Sequence, residues 1–334
     1  MSCGDRALAA DQGGPSATGA PPAVAQTPVA PVTGPAQTGA APGSVNPATN
    51  EEFVEHALER TLVLQGAALV PFGQFEVQPE VDYTLQNSNS LQVVTLSGVP
   101  TVVQSLRRDT VQPSLTLRAG LPFESQIEVL VPYVYDREEV VPLATNTRES
   151  RQTTGIGDVS VALSKQLLHE RGAVPNLVLA LRYKSKTGNI NFSPTFSSLN
   201  VGTGTGFESV QGQLIATKRL DPLVFFGNVT YMHNFSTTSG GLNIDPGDAT
   251  DLKIGTVLAV SPDAALTADF ELSYFNATRI NGIEAAGSDQ VIGFLDFGGS
   301  VVLSRSTVVN VTAGVGVTQA SPGFRFAVSF PIRF

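Results

Sequence analysis

From Phe72 onward the chain alternates apolar and polar positions at period two, segment by segment. Phe75, Val77, Val81, Tyr83 and Leu85 alternate with Glu76, Gln78, Glu80, Asp82 and Thr84. Successive side chains of a strand point to opposite faces, so one face of such a segment suits hydrocarbon and the other water. The same pattern predicts further strands over residues 111–119, 127–135, 159–167, 177–183, 210–216, 252–260, 266–274, 297–303 and 309–317. Residues 223–235 are noisier, though Val229, Tyr231 and His233 keep the period. The last strand is the clearest: Phe324, Phe326, Val328, Phe330, Ile332 and Phe334 form one row, with Arg325, Ala327, Ser329 and Arg333 on the other. That makes about twelve strands, an even number.

The links between these strands sort by parity. Those after the second, sixth, eighth and tenth are tight (120–123, 220–222, 262–263 and 305–306), and the one after the fourth (169–174) is somewhat longer. Those after odd strands are mostly long: 87–101, 136–153, 187–205, 236–249 and 277–289, with 319–322 the exception. A sandwich has no reason to sort its loops this way, whereas a transmembrane barrel has short periplasmic turns and long outer loops. The expected fold is therefore all-β: an up-and-down antiparallel transmembrane barrel over residues 70–334, with both termini periplasmic. Tyr83, Tyr133, Tyr135, Tyr183, Tyr231 and Tyr274 then fall near the outer strand ends, where an aromatic girdle sits.

Composition agrees. Only 15% of residues are charged, against 42% hydrophobic, where a soluble globule carries about 25% charged. No apolar run approaches the roughly 18 residues of a membrane-spanning helix, and a barrel needs none. A net charge of −9 disfavours nucleic acid, whose phosphates demand a basic footprint. Cys3 is the sole cysteine, so no intrachain disulfide forms. An exported barrel is expected to follow a signal peptide, yet Met1-Ser2-Cys3-Gly4-Asp5-Arg6 shows no basic region followed by an apolar one; the expectation is a misplaced start codon or a trimmed chain.

Residues 1–49 are rich in Ala, Pro, Gly, Thr and Gln, too poor in buriable surface to offset chain entropy, and are expected to be a disordered tether. Residues 50–66 predict a short helix. Thr49 or Asn50 caps it, Glu51 and Glu52 suit its dipole, Phe53, Ala57, Leu58 and Leu62 share a face, and Gly66 ends it. Such a helix either packs on its own domain or acts as a plug or periplasmic element at the barrel mouth.

Two local signatures carry a family resemblance. The chain end resembles the closing strand of bacterial outer-membrane barrels, in which a terminal Phe, here Phe334 with Phe330 before it, is the signal read by the barrel-assembly machinery. Gly155, Gly157 and Asp158 (G-x-G-D), followed by Lys184, Thr187 and Gly188 (K-x-x-T-G), resemble the outer-membrane transporter family of the MetA pathway of phenol degradation. That resemblance implies a barrel of about twelve strands in outer-membrane lipid and passage of a small solute. The order tether, short helix, barrel also looks like the export channel of functional-amyloid systems, a trimer with a helical plug; here no heptads support a trimer, and an oligomer stays open.

Enzymatic chemistry finds little support. The only histidines are His56, His169 and His233; His233 with Ser236 nearby lacks a serine-nucleophile signature, so an outer-membrane lipase ranks last. Gly202-Thr203-Gly204-Thr205-Gly206 lacks the Lys and helix of a phosphate loop and predicts a flexible loop. No cofactor and no metal site are expected. Arg118, Glu128, Arg182, Lys184, Arg219, Lys253, Asp269, Glu271 and Arg325 lie on the polar rows and are the expected pore-lining residues. The leading expectation is passive passage of small solutes, hydrophobic and aromatic ones included. A plugged export channel for a secreted polypeptide and a structural or adhesive barrel with functional loops are the other readings.

Overall fold

The computed structural model describes Gly66 and residues 68–88, 92–96, 99–142, 146–189, 202–239, 241–285 and 287–334. The expected tether and helix, with Cys3, His56, Phe53, Ala57, Leu58 and Leu62, lie outside the described residues, apart from Gly66.

Twelve strands make the wall: β1 (Phe75–Ser88), β2 (Val99–Leu121), β3 (Ser125–Pro142), β4 (Glu149–Ile156 and Ser160–Leu168), β5 (Asn176–Lys184), β6 (Ser209–Leu220), β7 (Leu223–Asn234), β8 (Ala249–Ser261), β9 (Ala264–Phe275), β10 (Gln290–Val302), β11 (Val308–Gly316) and β12 (Phe324–Ser329 and Ile332–Arg333). Each pairs antiparallel with its sequence neighbours, and β1 also pairs with β12, from Leu85 opposite Phe324 to Glu76 opposite Arg333. The sheet therefore closes and leaves no edge around the wall, as spanning a bilayer requires. The terminal Phe334 exchanges two backbone hydrogen bonds with Phe75, at 2.8 and 3.1 Å, which fastens the seam.

Two strands are interrupted, for different reasons. In β12 the pairing register with β1 is the same before and after Phe330-Pro331; Pro331 has no N–H to give the ladder. In β4 the register does change. Leu130 faces Ser160 but Tyr133 faces Ile156, so Gly157-Asp158-Val159 holds one extra residue, a bulge that turns side chains toward the lumen.

The outer side departs from the expected bare loops. β2 continues out to Val99 and pairs with Gln92–Leu96, β3 reaches Pro142, and β4 starts at Glu149. Thr237–Ser239, Leu242–Asp245, Arg279–Ile280 and Ile283–Glu284 build a separate small sheet. Beyond the bilayer a strand no longer needs an apolar row. Ion pairs such as Arg107–Asp109 and Arg137–Glu139 decorate it instead, and the period-two signal vanishes while the pairing persists.

Outward side chains are apolar on every stave (Leu117, Ile127, Leu163, Leu181, Leu214, Val229, Ile254, Leu266, Phe297 and Val315 among them) and stand exposed, as a lipid-facing surface does. Five of the girdle tyrosines, Tyr133, Tyr135, Tyr183, Tyr231 and Tyr274, are exposed likewise. Inside, one expectation is corrected: the inward row is not polar throughout. At the end with the short turns, Val178 (β5), Ile215 (β6), Val224 and Phe226 (β7), Val257 (β8) and Ala265 (β9) form a buried apolar cluster, against which Ala68, Leu69 and Ala259 pack. Apolar residues on both faces there explain the noise in the seventh segment, since Phe225 points out while Val224 and Phe226 point in.

Candidate functional site

The lumen is organised by cross-strand ladders. Glu76 sits opposite Arg118, Arg118 opposite Glu128, Glu128 opposite Ala162, and Ala162 opposite Arg182. Directly opposed residues on one face meet, and the small Ala162 lets Arg182 reach past it. Arg118 Nε donates to Glu128 Oε2 at 2.7 Å, and its Nη1 donates to Glu76 Oε1 at 2.8 Å and Gln78 Oε1 at 2.5 Å. Arg182 Nη2 donates to Glu128 Oε1 at 2.6 Å, and Arg333 Nη2 reaches Glu76 Oε2 at 3.4 Å. The row alternates sign, and each carboxylate bridges two guanidinium groups.

A second cluster stands on β8 to β12. Arg325 Nε donates to Asp296 Oδ1 at 2.7 Å and its Nη2 to Glu271 Oε2 at 2.9 Å, while the guanidinium lies 3.9 Å from the Phe294 ring centroid. Lys253 Nζ is 3.1 Å from Asp269 Oδ1 and 4.0 Å from Glu271 Oε2. Gly314 separates Asp296 from Arg325 in the ladder. A Cβ there would stand 2.0 Å from Asp296 Oδ1 and 2.9 Å from Arg325 Cγ, so the pair can close only over a glycine.

The bulge in β4 serves as an anchor for the loop between β5 and β6. Asp158, almost wholly buried, accepts from the amides of Gly188 (Oδ1, 2.9 Å) and Thr205 (Oδ2, 2.7 Å), from the Thr205 hydroxyl at 2.7 Å and from Lys184 Nζ at 3.2 Å. Thr187 Oγ1 accepts from the Val159 amide and donates to the Gly157 carbonyl, each at 2.9 Å. Lys184 also bonds the Thr205 hydroxyl and lies 4.6 Å from the Phe207 ring centroid. Residues 202–206, expected as a flexible loop, are therefore packed. Thr203 is buried, its backbone N–H bonds the Asn189 carbonyl at 2.9 Å, and Gly188 and Gly204 cross in contact. Close backbone crossings and a buried carboxylate, both invisible in linear spacing, replace the mobility that Gly and Thr suggested.

Two cavities lie in the lumen. One, of about 460 Å³, lies above the apolar cluster; the other, of about 430 Å³, lies beneath the packed loop. Arg182, Gln211 and Met232 line both, so the two adjoin there. At the periplasmic end the strap 68–71 bends inward. Val70 is buried, and its N–H donates to Gln126 Oε1 at 2.7 Å.

Of the nine residues expected to line a pore, Arg118, Glu128, Arg182, Lys253 and Glu271 border the first cavity and Lys184 the second. Asp269 and Arg325 belong to the paired second cluster. Arg219 does not join them: it is exposed at the β6–β7 turn, where its amide meets Glu170. Lys218 Nζ donates to the same carboxylate at 2.7 Å and holds Glu170 below the usual carboxylate range. The lumen residues that the sequence reading missed are apolar or neutral: Ile215, Phe226, Asn228 and Met232. Their parity alone could have found them.

His233 pairs outside the lumen. Its Nδ1 is 2.8 Å from Asp248 Oδ1, and the Tyr231 hydroxyl donates to Asp248 Oδ2 at 2.5 Å. Burial opposes ionisation of Asp248, yet these bonds and the Asn234 amide hold its carboxyl below the usual range. Ser236 Oγ donates to Asp245 at 3.4 Å, not to His233.

A closed twelve-stranded antiparallel barrel, apolar outside and charged inside, is an outer-membrane β-barrel. The chain belongs to the family described as "Putative MetA-pathway of phenol degradation", whose model matches residues 60–334. Its fold is similar to that of an outer membrane channel from Pseudomonas putida F1, at 14% identity and TM-score 0.63, over 80% of this chain and 97% of that one. Lower scores relate it to the translocator domain of the autotransporter NalP from Neisseria meningitidis (9% identity, 85% and 98% coverage, TM-score 0.46) and to the P. putida toluene transporter TodX (12%, 83% and 92%, 0.42).

Proposed function

We propose that this barrel is a passive channel carrying small, mainly uncharged solutes across the outer membrane. One observation carries the reading: two cavities adjoin within the lumen and share Arg182, Gln211 and Met232 in their lining. Arg118, Arg182, Lys253 and Arg325 are each paired with carboxylates in the ladders rather than left to bind anions, which favours solutes without negative charge. The constrictions are the packed loop around Thr203 and the strap 68–71. Residues 50–66, directly before the strap, act with it as the plug. Cavities of about 460 and 430 Å³ are of small-molecule scale, which supports a small solute over a secreted polypeptide as cargo. An enzymatic role is disfavoured because Ser236 does not engage His233, which stands exposed beside Asp248. Phe334, exposed at the seam, is available to the assembly machinery.

Planar-bilayer recording of the full chain and of a chain lacking residues 1–66 tests this. Discrete conductance that rises on truncation is expected. Silence in both forms would overturn the channel reading.

A further inference from the structure

Just beyond the girdle, the outward face of β2 and β3 turns from apolar to cationic. Val111 faces Tyr135 across the two strands; one row further out Asp109 faces Arg137, and one row beyond that Arg107 faces Glu139. Side chains two apart on a strand share a face, so these rows continue the surface on which Tyr133 and Tyr135 stand exposed. Asp136 and Glu138, between them in sequence, are buried on the inner side. Girdle tyrosines sit at the membrane–water interface, and Arg137 stands about 7 Å along the strand beyond Tyr135. That is the depth of the lipid headgroups.

The two signs of charge are not equally placed there. Arg107 donates to Asp109 from Nε at 2.9 Å and from Nη2 at 3.2 Å. Arg137 Nη2 donates to Glu139 Oε1 at 2.7 Å, and Arg148 Nη1, from the chain just before β4, reaches Glu139 Oε2 at 3.3 Å. Two carboxylates thus serve three guanidinium groups, which leaves a positive patch on a chain whose net charge is −9. The side chains of Asp109 and Glu139 are 21% and 15% exposed, while those of Arg107, Arg137 and Arg148 are 54%, 49% and 72% exposed. The carboxylates lie against the sheet and hold the guanidinium groups outward. Exposed pairs of this kind contribute little to folding. The bonds named engage one edge or one nitrogen of each guanidinium, whose fork of five N–H donors matches a phosphate. We infer that this patch binds the phosphorylated headgroup of an outer-leaflet lipid. Its acyl chains lie on the apolar staves below Tyr133 and Tyr135, and its phosphate meets Arg107, Arg137 and Arg148. Continuity with the lipid-facing wall selects a lipid over a soluble anion, because chains already seated on the wall bring their phosphate to this row.

The test uses two probes with the same acyl chains: diphosphoryl lipid A, and lipid A stripped of both phosphates. Native mass spectrometry of the full chain in detergent, titrated with each, reads both affinities. The phosphorylated form should bind at least about tenfold more tightly. Replacing all three arginines (Arg107→Gln, Arg137→Gln and Arg148→Gln) should bring that ratio below about twofold, with the heat-modifiable gel shift checking that the barrel has folded. A second variant does not depend on the first. Glu139→Gln loosens the hold on Arg137 and Arg148, so it should tighten binding of the phosphorylated lipid and leave the stripped one unchanged, which a merely structural role for these pairs would not do. Equal affinities in the native chain, a preference that survives the triple replacement, or weaker binding in Glu139→Gln would overturn the assignment. So would displacement of diphosphoryl lipid A by inorganic phosphate at matched ionic strength, which would make the patch a site for a free anion.

Discussion

Asp158 accepts a hydrogen bond from the Gly188 amide at 2.9 Å, across 30 residues of chain. With the two Thr205 donors it ties the outer loop to the bulge of β4. The two motifs, G-x-G-D and K-x-x-T-G, are thus the two sides of one clamp. Charge-assisted bonds of this kind contribute about 1.5–3 kcal/mol each. Asp158→Ala should release the loop and leave the barrel standing. Hydrogen exchange at the Thr205 amide should speed up by at least about tenfold, equivalent to roughly 1.4 kcal/mol, with the heat-modifiable gel shift of the folded barrel unchanged. A Thr205 amide as protected as before would remove Asp158 from this role.

Gly204 belongs to the same clamp through space rather than charge. A Cβ there would lie 2.3 Å from Asp158 Oδ1 and 2.7 Å from the Gly188 Cα, and the second of these is backbone that cannot swing aside. Gly204→Ala should therefore reproduce the loop release of Asp158→Ala. Groups that act as one unit are not additive, so the double variant should exchange no faster than the more severe single one. Additive effects would show that Gly204 and Asp158 hold separate contacts.

Legibility followed physics. All twelve staves were readable because bilayer and water impose opposite demands on alternate residues. Where one demand lapses the signal fades, as in the outer extension of β2 around Arg107 and Arg108, where pairing persists without an apolar row. It fades again where Val224 and Phe226 turn inward under the strap. The clamp was half visible: its motif residues stood out, but Thr205 meets Asp158 across 47 positions, and no local pattern encodes that.

Arg118 bridges Glu76 and Glu128 and is itself largely buried. Replacing it by Met leaves two carboxylates with weakened partners, since Glu76 keeps only the longer contact to Arg333 and Glu128 keeps Arg182. Breaking a buried pair from one side costs about 3–5 kcal/mol; the surviving guanidinium groups place this case near 3. Urea titration of folding into lipid vesicles should show the loss as a lower midpoint. Adding Glu76→Gln should recover part of it, and no recovery would mean that Arg118 acts through packing rather than charge.

Glu170 gives the periplasmic turn a pH dependence. The hydrogen bond from Lys218, with help from the Arg219 amide, lowers its pKa. A carboxyl depressed in the folded state contributes stability above its unfolded value, about 4.3, and loses it as pH falls through the folded value. Protection of the Arg219 amide, corrected for intrinsic exchange, should be level from pH 7 to about 5 and decline below about 4.3. In Glu170→Gln the profile should be flat. A decline that persists in Glu170→Gln would assign the titration to another group.

Val70 decides whether the strap restricts the lumen. It is 2% exposed, its N–H is held by Gln126, and the neighbouring Leu69 packs on the cluster of Ile215 and Phe226. Val70→Asp puts a carboxylate where no cation stands among these partners, and burying an unpaired charge costs several kcal/mol. The strap, held by Ala68 and Leu69 on the cluster, by the buried Val70, by its close seat over Gly120 and by one side-chain hydrogen bond, is the part of the structure that gives way to that cost. The charged strap should therefore swing into the periplasm and leave the wall intact. Single-channel conductance should rise above that of the native chain, since a constriction of the lumen is removed. Gln126→Leu, which removes only the anchor of the Val70 amide, should give a smaller rise or brief openings. If Val70→Asp conducts like the native chain while its Val70-to-Pro71 segment becomes open to proteolysis, the flow is limited elsewhere, at the clamped loop around Thr203, and Asp158→Ala should then raise the conductance instead.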